Sequence, residues 1–325
     1  MTIRHLSFSI TLECHYQCTH CDMWRLKDPL DALTANDHID LLRDISQWNP
    51  PLHLNLSGGE PLRKFQHVLD VIGEASSLGH DVSLNTNGSL LTPSRAEQLL
   101  KAGLGTIVIS LDSPHEIQQN KTRGYKHAFR SAVDAFLMFV ELKNNYQFQL
   151  YSLSIIAEWS IANIGELVKL LSSLNVDGML FQVLQPNFGN PYNATQVLQL
   201  LDDFQSIAPK QTILNGVHKL HKLQNQGYPV LITPEEFEFL PHYFNNPYIL
   251  PEPICGAAEG TLVVDVSGNL QLCYNMSVFG HNDLGNIRFV DVREIWYAQN
   301  ELRHRMKSCK LGCGMNQCNI RKEWD

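Results

Sequence analysis

The chain has 325 residues, 44% hydrophobic and 18% charged, which supplies a large buried core and excludes wholesale disorder. Its 25 Lys+Arg against 33 Asp+Glu leave a net charge of -8, which argues against a nucleic-acid or polybasic membrane partner, because phosphate binding needs a positive field. No apolar run approaches the roughly 18 residues of a membrane span, and Met1-Thr2-Ile3-Arg4-His5 opens no secretory pattern, so a soluble cytoplasmic protein of about two domains is expected.

Short apolar, β-branched runs at His5–Leu12, Leu52–Ser57, Asp81–Asn85, Thr106–Leu111, Gln149–Ile156 and Gly178–Leu184 predict six strands. Between them, apolar positions recur at three and four, as in Ile39, Leu41, Leu42, Ile45 and Trp48. They predict helices near Ala35–Trp48, Phe65–Leu78, Ser94–Ala102, Ala128–Leu142 and Ile164–Leu174. Strand–helix alternation requires parallel pairing with right-handed crossovers. Six such units fit an incomplete (β/α) barrel or a doubly wound sheet, and in both the chemistry gathers at the C-terminal ends of the strands.

Downstream, Thr195-Gln196-Val197-Leu198 opens a helical pattern and another runs from Gln211 to Gln226. Pro229, Pro234, Pro241, Pro247, Pro251 and Pro253 then punctuate an aromatic-rich stretch that reads as an irregular connector. A small second unit is expected from Cys255. In it, Thr261–Val266 and Leu270–Tyr274 flank the hairpin signal Ser267-Gly268-Asn269, and a helix covers Val292–Met306. The division is therefore 1–227, a connector at 228–254, and 255–325.

The eight cysteines fall into two groups: Cys14, Cys18 and Cys21, then Cys255, Cys273, Cys309, Cys313 and Cys318. Disulfide frameworks belong to short secreted chains, so clusters in a long chain of this kind read as metal ligands. The CxxxCxxC loop can bring three thiolates to one cluster but cannot close a four-cysteine site alone. An open position suits a catalytic centre, and a distant fourth cysteine would make the site structural. His15 and His20 within the loop read as packing residues. Gly58-Gly59-Glu60-Pro61 follows the second strand, with glycines that permit close backbone approach, a proline that fixes the turn, and a carboxylate able to accept from an ammonium. Thr86-Asn87-Gly88 follows the third strand and Asp112 the fourth.

In combination these motifs resemble the radical S-adenosylmethionine (SAM) family, on the cysteine triad after strand 1, Gly58-Gly59-Glu60-Pro61 after strand 2, and Ser110-Leu111-Asp112 at the end of strand 4. The resemblance implies an α/β fold, a partial (β/α)6 TIM-like barrel, with a [4Fe–4S] cluster on Cys14, Cys18 and Cys21 and the SAM amino and carboxylate groups on the fourth iron. Reductive cleavage of SAM, with electrons from a donor such as flavodoxin or ferredoxin, would give a 5′-deoxyadenosyl radical that abstracts hydrogen from substrate. It also implies that Gly58, Gly59, Glu60 and Pro61 meet the SAM amino group, that Thr86 and Asn87 line the pocket, and that Ser110 and Asp112 lie near the ribose or carboxylate. His20 stands where relatives carry a bulky aromatic, with its backbone toward the adenine edge. Arg123, in Arg123-Gly124-Tyr125, and Asn163 match positions common in the subgroup; a solvated arginine and a helix cap are their alternatives.

The C-terminal cysteines resemble the SPASM/twitch class of auxiliary iron–sulfur domains, in which a cysteine before a β-hairpin and one ending it share a cluster with later cysteines. Five cysteines allow one auxiliary [4Fe–4S] cluster and one spare, placed at Cys313 as the residue most off the pattern among Cys309, Cys313 and Cys318. A zinc ribbon would need the CxxC knuckles missing here. The basic run Arg303, Arg305, Lys307 and Lys310 either steadies thiolate charge or complements a helix end. The expected function is a radical SAM oxidoreductase or maturase acting on a peptide or small molecule by maturation, epimerisation or dehydrogenation. A cofactor-biosynthesis enzyme and a non-catalytic two-cluster electron carrier are the alternatives. Because the chain begins at strand 1, a leader peptide is expected to dock elsewhere or on a separate protein.

Overall fold

The structure, a computed structural model, describes residues 1–183, 210–245, 251–252, 256–276, 280–281 and 283–310. Six parallel strands, β1 (His5–Thr11), β2 (His53–Gly58), β3 (Asp81–Thr86), β4 (Thr106–Ser110), β5 (Gln149–Ile156) and β6 (Gly178–Val183), lie side by side in sequence order. This is the sheet of a partial (β/α)6 barrel, and the expected strands are present within about a residue or two of their predicted ends. Register runs straight across, with Leu6 beside Leu54 and Leu54 beside Val82. It shifts between Ser9 and Thr11, where β1 gives way to the cysteine loop.

Strands covered on both faces usually read as continuous apolar runs. Strands β4 (Ile107-Val108-Ile109) and β6 (Met179-Leu180-Phe181) do so, whereas β1, β2 and β3 alternate. Leu6, Phe8 and Ile10 of β1 and Leu54 and Leu56 of β2 are buried in the core with Leu42, Ile45, Val71 and Ile72 of the surrounding helices. The alternate positions carry Ser7, Ser9, Asn55, Ser57, Ser83 and Asn85, so the opposite face of these strands is small and polar. The covering helices are α1 (Ala35–Ser46), α2 (Phe65–Ser77), α3 (Pro93–Lys101), α4 (Glu116–Thr122), α5 (Ala128–Leu142), α6 (Glu158–Ile161) and α7 (Ile164–Ser173). At the start of α1, Asp37 N–H donates to Thr34 Oγ1 at 3.3 Å and Thr34 N–H to the Asp37 carboxylate at 2.7 Å, a reciprocal cap.

Three differences from the sequence reading have physical causes. Helices α4 and α6 are too short to leave a periodic signature. The helix expected from Gln211 to Gln226 is present as α8 (Lys210–Asn225), but the proline-rich stretch after it is partly helical too, as α9 (Pro234–Asn245). Pro234 opens α9, where its missing N–H is harmless, and Thr233 and Glu236 cap it reciprocally at 3.2 and 2.7 Å. The helix expected over Val292–Met306 is broken at Gln299 into α10 (Val292–Ala298) and α11 (Asn300–Met306).

The hairpin is present as β7 (Thr261–Val264) and β8 (Leu270–Gln271), and it continues the barrel sheet. Strand β7 pairs parallel to β1, His5 beside Thr261 and Phe8 beside Val264, giving the order β6-β5-β4-β3-β2-β1-β7-β8. Leu184 and Thr195–Leu198 lie outside the described residues. Among the described residues no helix is long and apolar enough to cross a membrane.

Candidate active site at the C-terminal ends of the strands

Beyond β1 the chain leaves the sheet, carries the three cysteines and returns to its own point of departure. Asp28 closes the base of this loop: it accepts from Thr11 Oγ1 at 2.9 Å and from Leu12 N–H at 2.7 Å, and pairs with Lys64 Nζ at 2.6 Å. The far side is held by the segment after α4. Thr19 N–H donates to Thr122 O at 2.9 Å, and the Cys18 thiol lies 3.6 Å from Arg123 O. Gly124 follows at φ +57°, where a Cβ would stand 2.0 Å from Gln17 O, so no other residue fits without moving the loop. Buried Tyr16 stacks on Tyr125 with centroids 4.5 Å apart and 18° between planes, and His15 Nε2 bonds Ser89 Oγ at 2.7 Å. His20 packs as an aromatic, its ring 6.2 Å from and nearly parallel to Trp159.

The three thiols are half-buried, and desolvation raises all three, Cys14 to about 11 and Cys21 to about 12. Buried thiols of this kind stay protonated and inert until a cation draws off the proton, which is the chemistry of metal-ligand cysteines. No three His, Cys, Asp or Glu side chains among the described residues converge on a single-ion site. An iron–sulfur cube, in which each thiolate binds its own iron, does not need that convergence, so the donor set fits a cluster.

The turns after β2 and β3 are tied to this loop. A Cβ at Gly58 would stand 2.3 Å from Thr11 O, and one at Gly59 2.4 Å from Glu13 O. The glycines are therefore required by the chain's own close approach, sealed by Gly59 N–H to Thr11 O at 2.7 Å and Glu60 N–H to Glu13 O at 2.9 Å. Pro61 is buried at the start of the following 3-10 turn. Glu60 is 1% exposed and accepts from Leu62 N–H (3.1 Å), Thr86 Oγ1 (2.8 Å) and Asn87 N–H (2.9 Å). Burial outweighs those three bonds and raises its pKa to about 7. Asn87 Oδ1 accepts from Ser89 N–H and Oγ at 3.0 and 2.7 Å.

Asp112, fully buried, accepts from Ile155 N–H at 3.0 Å and from Arg123 Nε at 2.5 Å. Burial opposes the Arg123 charge, but Asp112 and Cys18 overcome it and hold that guanidinium above its ordinary range. Glu60 and Asp112, expected from sequence to face a ligand, thus have their carboxylates bonded to the protein's own donors. Ser110 ends β4 half-buried beside Leu153. Asn163 precedes α7 without a side-chain cap bond. Of the C-terminal cysteines, Cys273 follows β8, and Cys309 N–H donates to Met306 O at 3.0 Å at the end of α11. Cys255, Cys313 and Cys318 lie outside the described residues. His218 and His221 sit exposed on α8, beside a groove shared with Phe237.

Sequence reasoning missed a polar ladder on the strand face opposite the core. Ser7, Asn55 and Ser83 are register partners; Asn55 Nδ2 donates to Ser7 Oγ and Ser83 Oγ to Asn55 Oδ1, both at 3.2 Å. His53 joins Ser83 Oγ (2.9 Å) to Asp81 (2.7 Å), and Tyr274 OH reaches Ser7 Oγ at 2.6 Å. Serine and asparagine at every second strand position were the available signal.

The sequence profile of the Radical SAM superfamily matches residues 8–171. The chain is 31% identical over 127 residues to an AdoMet-dependent heme synthase of Methanosarcina barkeri, covering 39% of this chain and 36% of that protein. It is 20% identical over 316 residues to the heme synthase of Nitratidesulfovibrio vulgaris (93% and 81%). It is 36% identical over 120 residues to a GTP 3′,8-cyclase of Parasynechococcus marenigrum (34% of each). The match thus spans about a third of the first and last of these proteins. Two solved structures share the fold. Streptococcus suis SuiB bound to S-adenosylmethionine has TM-score 0.67 and 18% identity, over 94% of this chain and 68% of that one. His-tagged anSMEcpe with bound AdoMet has TM-score 0.58 and 17% identity, over 93% and 82%. Because the family profile covers just over half of the chain and includes the whole cysteine loop and the turns that grip it, this protein belongs to the radical SAM superfamily.

Proposed function

We propose that this enzyme acts on an uncharged, hydrogen-bonding substrate, a peptide segment, at the polar face of its barrel strands. The carrying observation is the charge of that wall. None of the six barrel strands contains a lysine or arginine. The cations at the strand ends are already paired: Arg63 with Glu13, Lys64 with Asp28, Arg123 with Asp112. A triphosphate or the carboxylates of a heme precursor would call for guanidinium or ammonium partners. Amide groups of a peptide suit the Ser7–Asn55–Ser83 ladder. SuiB, which shares the fold, has also been solved with its precursor peptide SuiA.

In this reading Cys14, Cys18 and Cys21 hold the [4Fe–4S] cluster, while the turns at 58–61 and 86–88, with His20 and Ser110, surround SAM. When bound, the cluster and SAM would supply one-electron reductive chemistry for hydrogen abstraction from the substrate. The protein's own residues hold the geometry: Asp28 and Gly124 fix the loop, Glu60 locks the second turn to the third, and Asp112 orients Arg123. A second cluster on the C-terminal cysteines, Cys273 and Cys309 among its ligands, and an acidic donor such as flavodoxin or ferredoxin complete the proposal. Anaerobic reconstitution with SAM and dithionite, followed by assay of 5′-deoxyadenosine, separates an enzyme from an electron carrier. Isothermal titration of the reconstituted protein with GTP tests the substrate class: no binding is expected, and micromolar binding would overturn it in favour of a cofactor-biosynthesis step.

A further inference from the structure

We propose that the segment joining α4 to α5 is the docking surface for the electron donor, an acidic one-electron carrier protein, an inference that rests on the N-terminal cluster proposed above. In a chain of net charge -8, the stretch between Glu116 and Asp134 carries Lys121, Arg123, Lys126 and Arg130 and no carboxylate. Arg123 is turned inward onto Asp112. Arg130 meets Glu116 at 3.1 Å across open surface, where an ion pair is worth little. Lys121, Lys126 and His127 are exposed, and among the described residues neither lysine forms an ion pair. An exposed basic strip on an acidic protein draws a partner of the opposite sign and sets how it lands.

The strip is fixed in shape and joined to the cysteine loop. Asn120 spans it: Nδ2 donates to Lys126 O at 2.8 Å, and Oδ1 accepts from Phe129 N–H at 2.9 Å. A surface held in this way loses little freedom when a partner settles on it. Thr122 O accepts from Thr19 N–H, Arg123 O lies 3.6 Å from Cys18 Sγ, and Gly124 sits against Gln17. Gln17 and Thr19, the exposed residues between the three cysteines, therefore continue the same surface. A carrier seated here is separated from a cluster ligand by one peptide group. It would give up one electron to the cluster on Cys14, Cys18 and Cys21, with no bond made or broken and no proton moved. The strip leads to the backbone of the cysteine loop and not to the Ser7–Asn55–Ser83 face, which favours an electron carrier over a substrate peptide.

The test titrates the reconstituted full chain with a flavodoxin as the probe. Lys121→Glu combined with Lys126→Glu should weaken flavodoxin binding about ten- to a hundredfold at low ionic strength, and the difference should shrink in about 0.5 M salt. Iron content and dithionite-driven formation of 5′-deoxyadenosine, which need no docking, should match those of the unaltered protein. Lys219→Glu with Lys222→Glu, the same change of charge at exposed positions of α8, should leave flavodoxin binding nearly intact. No binding by the unaltered protein, unchanged affinity in the first pair, equal loss in both pairs, or loss of dithionite-driven activity in the first pair would each overturn the docking surface. An unaltered protein that forms no 5′-deoxyadenosine with dithionite would instead sink the reading of the N-terminal cluster on which the docking surface rests.

Discussion

Arg123 and Arg303 are both buried arginines, and they have been treated differently by the fold. Arg123 meets Asp112, which is itself held by the Ile155 amide, so the charge near the N-terminal cysteine loop is balanced within the protein. Arg303 meets an indole and, among the described residues, no carboxylate. The first charge is balanced within the protein, whereas the second keeps a buried guanidinium nitrogen without a hydrogen-bond partner among the described residues.

The sharpest way to break this contrast is to remove one set of thiols. The Cys14, Cys18 and Cys21→Ala protein should lose all 5′-deoxyadenosine formation while keeping about one [4Fe–4S] cluster per chain by iron and Mössbauer analysis. Total loss of iron would mean that the two cysteine groups form one site. Next in size is Arg123→Met, which strands the Asp112 carboxylate and should cost about 3–5 kcal/mol in denaturant unfolding of the apo-protein. The same change at Arg303 should stabilise the apo-protein, so equal signs would erase the distinction between the two.

Glu60 gives a third probe. Its pKa is raised from 4.5 to about 7, so the folded protein binds more protons than the unfolded chain across that interval. Its contribution is therefore fully present below about pH 4.5 and is lost as pH rises toward 7, by roughly 3 kcal/mol at most. Glu60→Gln should remove that slope from stability measured between those pH values; an unaltered slope would assign it to other groups. The smallest effect on stability is expected from Gly124→Ala, about 1–3 kcal/mol for a side chain forced to positive φ against Gln17. Its consequence for iron should be selective, with the N-terminal cluster poorly loaded and the C-terminal one retained by EPR.

The fold was legible where its signal is local. Strand alternation, helical spacing and the clustered cysteines lie within windows of a dozen residues, and the strands and most helices followed from them. What sequence could not display was pairing across the chain. Nothing local to Gly58 and Gly59 says that their hydrogens face Thr11 and Glu13, so they were read as room for a ligand. The partners of Glu60, Thr86 and Asn87, come a strand later, beyond any local window. Arg123-Gly124-Tyr125 owes its residues to the fit of Gly124 over Gln17 and of Tyr125 on Tyr16, contacts that span more than a hundred positions. The prolines misled for the opposite cause: Pro234 was counted as a breaker although Thr233 and Glu236 beside it spell a helix start.

The pairing of β7 with β1 also orders events during synthesis. The first strand made lies in the finished sheet between β2 and a strand that begins at Thr261. At about 5–20 residues per second, translation of the intervening chain takes on the order of ten seconds to a minute. Throughout that interval the strand that pairs with this edge of β1 does not yet exist. Emergence of the C-terminal hairpin closes that edge, so the sheet is finished only after all six barrel strands have been made.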